Sequence, residues 1–165
     1  MATWLIGAMG ASALLLAAWG LRRAWQNERT AHLLDGGLPY HARPIMTPTE
    51  LKVYDRLLHA LPEYMIFAQV QVSRVVESPP ENNRYWFNLI SRLSYDFVVC
   101  RTDGTPLAAI EIDDATHNLP ERIDADQRKN RATEAAGIAM LRWPVDAVPN
   151  VRDIRRIIAR CDHAR

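Results

Sequence analysis

The sequence predicts an α/β fold in which one mixed sheet is flanked by helices. Three observations lead there. The runs "YMIFAQVQV" at 64–72 and "PLAAIEID" at 106–113 alternate with the two-residue period of a half-buried strand. Segments with helical start and stop signals stand around them: Thr47-Pro48 and Pro120 open helices, and Pro62 and Gly137 close them. "RTDGT", residues 101–105, then joins two strand-like runs directly, so part of the sheet is antiparallel, whereas the strand after the second helix returns by a crossover.

Each element has its own signal. Thr47 suits an N-cap, Pro48 the first helical position, and Glu50 completes a capping box. Leu51, Tyr54, Leu58 and Leu61 then predict an apolar stripe over 47–61. In the strand at 64–72, Ile66, Ala68, Val70 and Val72 face one way, and Gln69 and Gln71 the other. Residues 73–92, with Pro79-Pro80, read as irregular apart from a short helix around "RYWFNLISR". "SYDFVVC" (94–100) and "PLAAIEID" (106–113) are strands, and Asp103-Gly104 between them predicts a type I′ hairpin turn. Pro120 starts a helix that runs to about Ala136, with Gly137 at C′. "IAMLRW" (138–143) is a short buried strand, and a last helix covers about 150–160. The order is α-β-β-β-α-β-α, read as one domain over 47–165.

Ahead of the domain, residues 2–21 carry no charge. Twenty helical residues span roughly 30 Å, the thickness of a bilayer's hydrocarbon core. Trp4 and Trp19 stand near the two ends, and Arg22, Arg23 and Arg29 follow. No Lys or Arg precedes the run, which favours an uncleaved anchor over a signal peptide. The expectation is a single transmembrane helix at 2–21, a juxtamembrane linker at 22–46, and an inner-membrane location with the domain on the cytoplasmic side.

Composition excludes a broadly basic surface. The formal net charge is +1, and from Arg43 onward 17 basic residues face 17 acidic ones. Contact with nucleic acid must come from local patches. Cys100 and Cys161 have neither metal-ligand spacing nor a disulfide framework.

The densest chemical signal is "AAIEIDDATH", residues 108–117. If Asp103 and Gly104 are the turn residues, paired positions of the hairpin sum to 207, and Asp96 falls opposite Glu111. Asp113 lies on the same side, two residues along. Three carboxylates on one sheet face repel one another and need compensation. A hard divalent cation would supply it. A pair of arginines in a structural network would too, and a different register would remove the need. In the following helix Arg122, Asp126 and Lys129 share one face, which could meet a phosphate or form a solvated, salt-bridged surface.

Asp96 followed by "IEID" resembles the split active site of the PD-(D/E)XK nuclease superfamily, the restriction-endonuclease-like fold. "EIDDATH", "DADQRKN" and "AAGIAMLRW" resemble the branch that includes very-short-patch repair endonucleases. "RPIMTPTE", "FAQVQVSR", "ISRLSYDFVV", "IEIDDATH" and "LRW", in that order, are similar to domain of unknown function 2726. The resemblance implies a restriction-endonuclease-like core and magnesium- or manganese-dependent hydrolysis of phosphodiester bonds in DNA or, second, RNA. It implies Asp96, Glu111 and Asp113 as metal ligands, with His117 and Lys129 beside them in catalysis and Glu50 as an acid arriving from the first helix. Binding to nucleic acid would need Arg122, Arg128, Lys129 and Arg142. The superfamily usually carries Lys two residues after its second acid; here that position is Asp113, and Lys129 stands to supply the ammonium instead. The alternative is a module that kept the fold and binds nucleic acid or protein without cutting.

Overall fold

The computed structural model describes residues 16–25, 27–28, 38–113 and 120–163. The chain divides into two compact units, Met1–Arg43 and Pro44–Arg165. In the first, residues 16–25 are helical and exposed, and the Arg23 guanidinium lies 5.1 Å from the centre of the Trp19 ring. The expected membrane anchor is corrected here. Among the described residues no helix is long and apolar enough to cross a membrane. The described helical residues 16–25 are exposed and include Arg22 and Arg23. The transmembrane helix, and the inner-membrane location and cytoplasmic orientation read from it, are withdrawn; residues 2–15 of the run lie outside the described residues.

The second unit is an α/β domain. Its helices are α1 (Pro48–Ala60), α2 (Asn83–Ile90), α3 (Pro120–Ala135) and α4 (Val151–His163). Its strands are β1 (Met65–Gln71), β2 (Ser94–Cys100), β3 (Pro106–Asp113) and β4 (Ala139–Pro144), in the sheet order β1-β2-β3-β4. The β1–β2 and β2–β3 pairs are antiparallel, and β3–β4 is parallel across the α3 connection. One face carries Phe97, Val99, Ala108 and Ile110 against Val53 and Leu57 of α1 and Ile154 and Ile158 of α4. The other carries Val98, Cys100 and Ala109 against Ile90 of α2 and, at its edge, Ala132 of α3. Each fully buried Leu, Ile or Phe among them contributes roughly 1.5–3 kcal/mol.

Several ends form as the residues dictate. The Thr47 hydroxyl accepts from the Glu50 N–H (3.2 Å), and the Glu50 carboxylate accepts from the Thr47 N–H (2.5 Å), closing the capping box of α1. Gly137, at φ +69°, ends α3 in a Schellman motif: its N–H bonds to Glu134 O, and the Ile138 N–H to Thr133 O. Asn150 caps α4 by accepting from the Asp153 N–H at 3.0 Å.

The α1 stripe differs from expectation. Val53, Leu57 and Ala60 are buried, and of the expected stripe Leu61 is buried and Tyr54 packs on the core, while Leu51 and Leu58 are exposed. Two apolar stripes one residue out of phase compete on this helix, and the tertiary partners choose.

The hairpin turn also differs. Gly104 is at φ +86°, but Asp103 is not in the left-handed region that a type I′ turn needs at both central residues. Instead the Gly104 N–H bonds to Arg101 O, and the Arg101 N–H to Thr105 O. This is a three-residue loop with Gly104 in the left-handed position. It moves the register by one, pairing Cys100 with Pro106; a bulge at Leu107 then moves it back, pairing Val99 with Ala108 and Phe97 with Ile110. The two departures cancel, and the expected pairing holds in the middle of the strands.

A second irregularity crosses β1 and β2. Gln69 sits at φ +53°, in the left-handed region, within a strand. The expected single face of β1 is therefore broken: Ile66 and Ala68 pack into one core, Val70 and Val72 into the other. Asp96 lies opposite Gln69 in the β1–β2 register, and the alternation breaks there too, with Phe97 in one core and Tyr95 in the other. A non-glycine residue in this conformation carries a cost of roughly 1–2 kcal/mol. Replacing Gln69 with Gly should therefore leave the melting temperature unchanged or raise it. Replacing it with Val, whose branched Cβ resists positive φ, should lower it by several degrees. Equal melts for the two variants in calorimetry would contradict a left-handed Gln69.

Candidate functional site

The site is built where β2 and β3 part. Their ladder runs to Phe97–Ile110, and at the next position the Asp96 carboxylate accepts the Ile112 N–H at 2.8 Å. A side chain thus takes a backbone donor that a continued ladder would use. Glu111, beside Ile112 on β3, is 8% exposed.

Lys129 of α3 reaches in from above. It is 7% exposed, and its Nζ lies 2.7 Å from Glu111 Oε2, donates to Ser94 O at 3.2 Å and stands 3.8 Å from Asp126. Two hydroxyls fix the turn that carries it. Thr133 Oγ1 donates to Lys129 O at 2.6 Å, which leaves the Tyr95 hydroxyl to donate to Thr133 Oγ1, also 2.6 Å away. The far oxygen, Glu111 Oε1, is buried and has no hydrogen-bond partner.

Burial pushes the Glu111 carboxyl up from its ordinary 4.5 to about 7; Lys129 pulls it down, and Asp96 pushes it further up. Asp96 is also raised by burial, against the Ile112 N–H that favours its anion, with Glu50 and Asp113 adding repulsion. Glu50 reaches the site's edge: while one oxygen caps α1, the other accepts from Gln69 Nε2 at 2.9 Å.

Asp113 is turned to a different partner. Arg142 Nη1 lies 2.9 Å from its Oδ1 and 3.2 Å from its Oδ2. Arg142 Nη2 meets Asn130 Oδ1 at 3.1 Å and Asp126 at 3.4 Å. So the structural network foreseen as an alternative to a cation is present in part: one arginine holds Asp113, and a lysine, not a second arginine, holds Glu111. Asp126 and Lys129 share a helix face as expected, and that face packs onto the sheet rather than into solvent. Arg128 pairs with Asp124 and faces away from the acids, toward a groove against α2. His117 lies outside the described residues, as do Asp114 and the side chain of Arg122. Among the described residues no group of three His, Cys, Asp or Glu converges to hold a metal ion.

Sequence reasoning missed Gln69, Asn130 and the direction of Arg142. Gln69 read as an ordinary solvent-facing strand position, and nothing local betrays its left-handed backbone. Asn130 could have been found as the i+4 neighbour of Asp126.

Fold and site together define an α/β domain with a buried acid–ammonium centre at one end of its sheet. The chain belongs to the family described as Protein of unknown function (DUF2726), whose model matches residues 42–161. No curated protein and no solved structure gives a significant match.

The raised Glu111 carboxyl makes stability depend on pH. Between 4.5 and about 7 the folded state holds a proton that the unfolded chain has lost. Its contribution is complete below pH 4.5 and is lost as the pH rises through about 7. The loss is on the order of 3 kcal/mol at 1.36 kcal/mol per unit. In metal-free buffer, urea melts of the wild type should weaken across this window relative to Glu111→Gln. Parallel pH profiles for the two proteins would refute the assignment.

Proposed function

We propose that the domain is a metal-dependent phosphodiester hydrolase acting on DNA or RNA, a member of the PD-(D/E)XK superfamily near its very-short-patch repair branch. The observation that carries this reading is Glu111 Oε1: a buried carboxylate oxygen without a partner, in an acid whose neighbour is Asp96. A buried acceptor left unsatisfied costs about 1–3 kcal/mol, and a bound cation removes that cost. Magnesium keeps several waters and is commonly held by only one or two carboxylates together with substrate phosphates, so Asp96 and Glu111 fit it without a third acid.

In this reading Asp96 and Glu111 hold the cation. When bound, it neutralises the scissile phosphate and lowers the pKa of a water. The chain's other groups position and polarise. Glu111, Ser94 O and, at 3.8 Å, Asp126 fix the Lys129 ammonium beside the acids, where it would stabilise the charge of the phosphate or the attacking water. Tyr95 and Thr133 fix the turn of α3 from which Lys129 extends. Glu50, tethered by Gln69, adds negative charge beside Asp96, which strengthens attraction for a cation. Asp113 orients Arg142 instead of holding the metal. His117 retains the role of general base or acid that the resemblance implies.

One observation favours the non-cutting module: Lys129 already neutralises Glu111 without any metal. The two readings part in a single experiment. Labelled single- and double-stranded DNA and RNA are incubated with the full chain in magnesium, manganese or EDTA. Metal-dependent cleavage is expected, with Asp96→Asn and Glu111→Gln each lowering the rate roughly 100- to 1,000-fold, as loss of a transition-state stabiliser does. Wild-type protein that cuts nothing, and whose melting temperature neither ion moves, would leave the non-cutting module.

A further inference from the structure

We propose that the groove between α2 and α3 seats an unpaired base of a nucleic-acid strand, with the flanking phosphates on Arg128 and Arg131. The class of ligand rests on the nuclease reading; the seat itself rests on separate residues.

The groove encloses about 490 Å³, within the range of small-ligand sites. Its apolar walls are Trp86, Leu89 and Ile90 of α2 and Ala132 of α3, and Arg128 and Arg131 also line it. Among the described residues Glu77 is the one acid in its wall. Three features single out a base as occupant. First, Trp86 is 46% exposed and stacks edge-to-face on Tyr85, with ring centres 5.2 Å apart. An indole held this way offers an aromatic platform beside an apolar cleft, the combination on which bases stack irrespective of sequence. Second, Arg128 Nε is buried with no hydrogen-bond partner, although Nη1 pairs with Asp124. An N–H donor with nothing to bond is completed by an acceptor atom from outside. Third, Arg131, like Arg84 on the adjacent helix, is exposed and forms no ion pair among the described residues, so its charge is available to phosphate.

Continuity with the acids adds direction. Arg128 and Lys129 are successive residues of α3, one turned to the groove and the other to Glu111. A strand with a base in the groove therefore passes one helix face away from the acid pair. In a duplex the bases are stacked and paired, and none can enter such a cleft without being extruded. The preferred ligand is accordingly single-stranded, or carries a loop, flap or mismatch.

The test measures binding of the full chain, in EDTA, to a fluorescein-labelled 20-nucleotide oligothymidylate and to the corresponding duplex by anisotropy. The single strand should bind more tightly. Trp86→Ala should weaken it roughly 5- to 150-fold, the worth of one base stack, while Trp86→Phe restores most of the affinity. Arg131→Ala should lower affinity and reduce the salt slope by about one. Phe67→Ala removes an exposed aromatic outside the groove and should change nothing. Duplex binding equal to or tighter than single-strand binding, or a Trp86→Ala protein that binds like wild type, overturns the proposal. So does a dimer in sedimentation that Trp86→Ala dissociates, which would assign the groove to a second copy of the chain. Cleavage assays separate the two readings. Cleavage abolished by Glu111→Gln but strand binding indifferent to Trp86 removes the groove alone. Trp86-dependent binding without any cleavage removes the enzyme and keeps the groove.

Discussion

A buried ammonium holds the site together. Lys129 is the point at which α3, the start of β2 and the end of β3 meet, through Ser94 O and Glu111. Burying two opposite charges costs several kcal/mol for each, and the attraction between them repays this only with very good geometry. Here the repayment is incomplete. Glu111 has a bonded oxygen and an orphaned one, and burial raises its carboxyl to about 7 despite an ammonium at 2.7 Å. A pair that fails to hold its own acid fully ionised is a poor stabilising device. In the proposed reading, a cation on the free oxygen would complete it.

The strand irregularity explains how the acids can be near one another at all. A regular hairpin continued past Phe97–Ile110 would set Asp96 and Glu111 side by side, each repelling the other with nothing between. The left-handed Gln69 opposite Asp96 breaks the alternation in both strands, and the Asp96 carboxylate swings to the Ile112 N–H. That hydrogen bond satisfies one charge, ends the ladder, and leaves Glu111 to Lys129. Left-handed non-glycine residues persist where the surrounding structure over-determines the backbone. The tie from Gln69 to Glu50, and from Glu50 to the cap of α1, is the over-determination in this case. A helix start, a strained strand residue and an acid form one connected unit.

The sequence was most legible where a local rule has one strong solution. Thr47 to Glu50, Gly137 and the run of strands around "RTDGT" each belong to that kind. The hairpin shows how legibility can rest on luck as well as physics: the turn is one residue longer than the Asp-Gly signal suggests, and the bulge at Leu107 restores the register that places Asp96 against the end of β3. Where two solutions were nearly equal, local reading failed. The α1 stripe slipped because Val53 and Leu57 compete with Leu51 and Leu58, and only α4 and the sheet decide. Arg142 has several acids within reach by sequence; the parallel register setting it beside Glu111, with Asp113 two places on, is a long-range fact. The uncharged run at 2–21 was read as a span from its length, its two tryptophans and the arginines after it; of that run only 16–21 fall among the described residues, in a helix that is not long and apolar enough to cross a membrane.

Helix α3 is the element on which these threads converge. It is rich in charged and polar residues and, apart from Ala132 at the edge of the core, has no apolar stripe to drive it onto the sheet. Such a helix needs specific partners, and it finds them in Lys129 to Glu111, in Thr133 to Tyr95, and in the Asp126–Arg142 contact with β4. All three lie on the face toward the sheet, so the helix is docked by polar chemistry at the same place where the acids gather. Its neighbouring face, with Arg128, Arg131 and Ala132, lines the groove against Trp86. A docking surface of aliphatic residues would have been the simpler way to hold a helix here. Using ion pairs instead ties the position of α3, and with it one wall of the groove, to the residues of the acid centre. Lys129 takes only Oε2 of that carboxylate, so in the proposed reading a cation on Oε1 and Asp96 would stand beside the ammonium without displacing it.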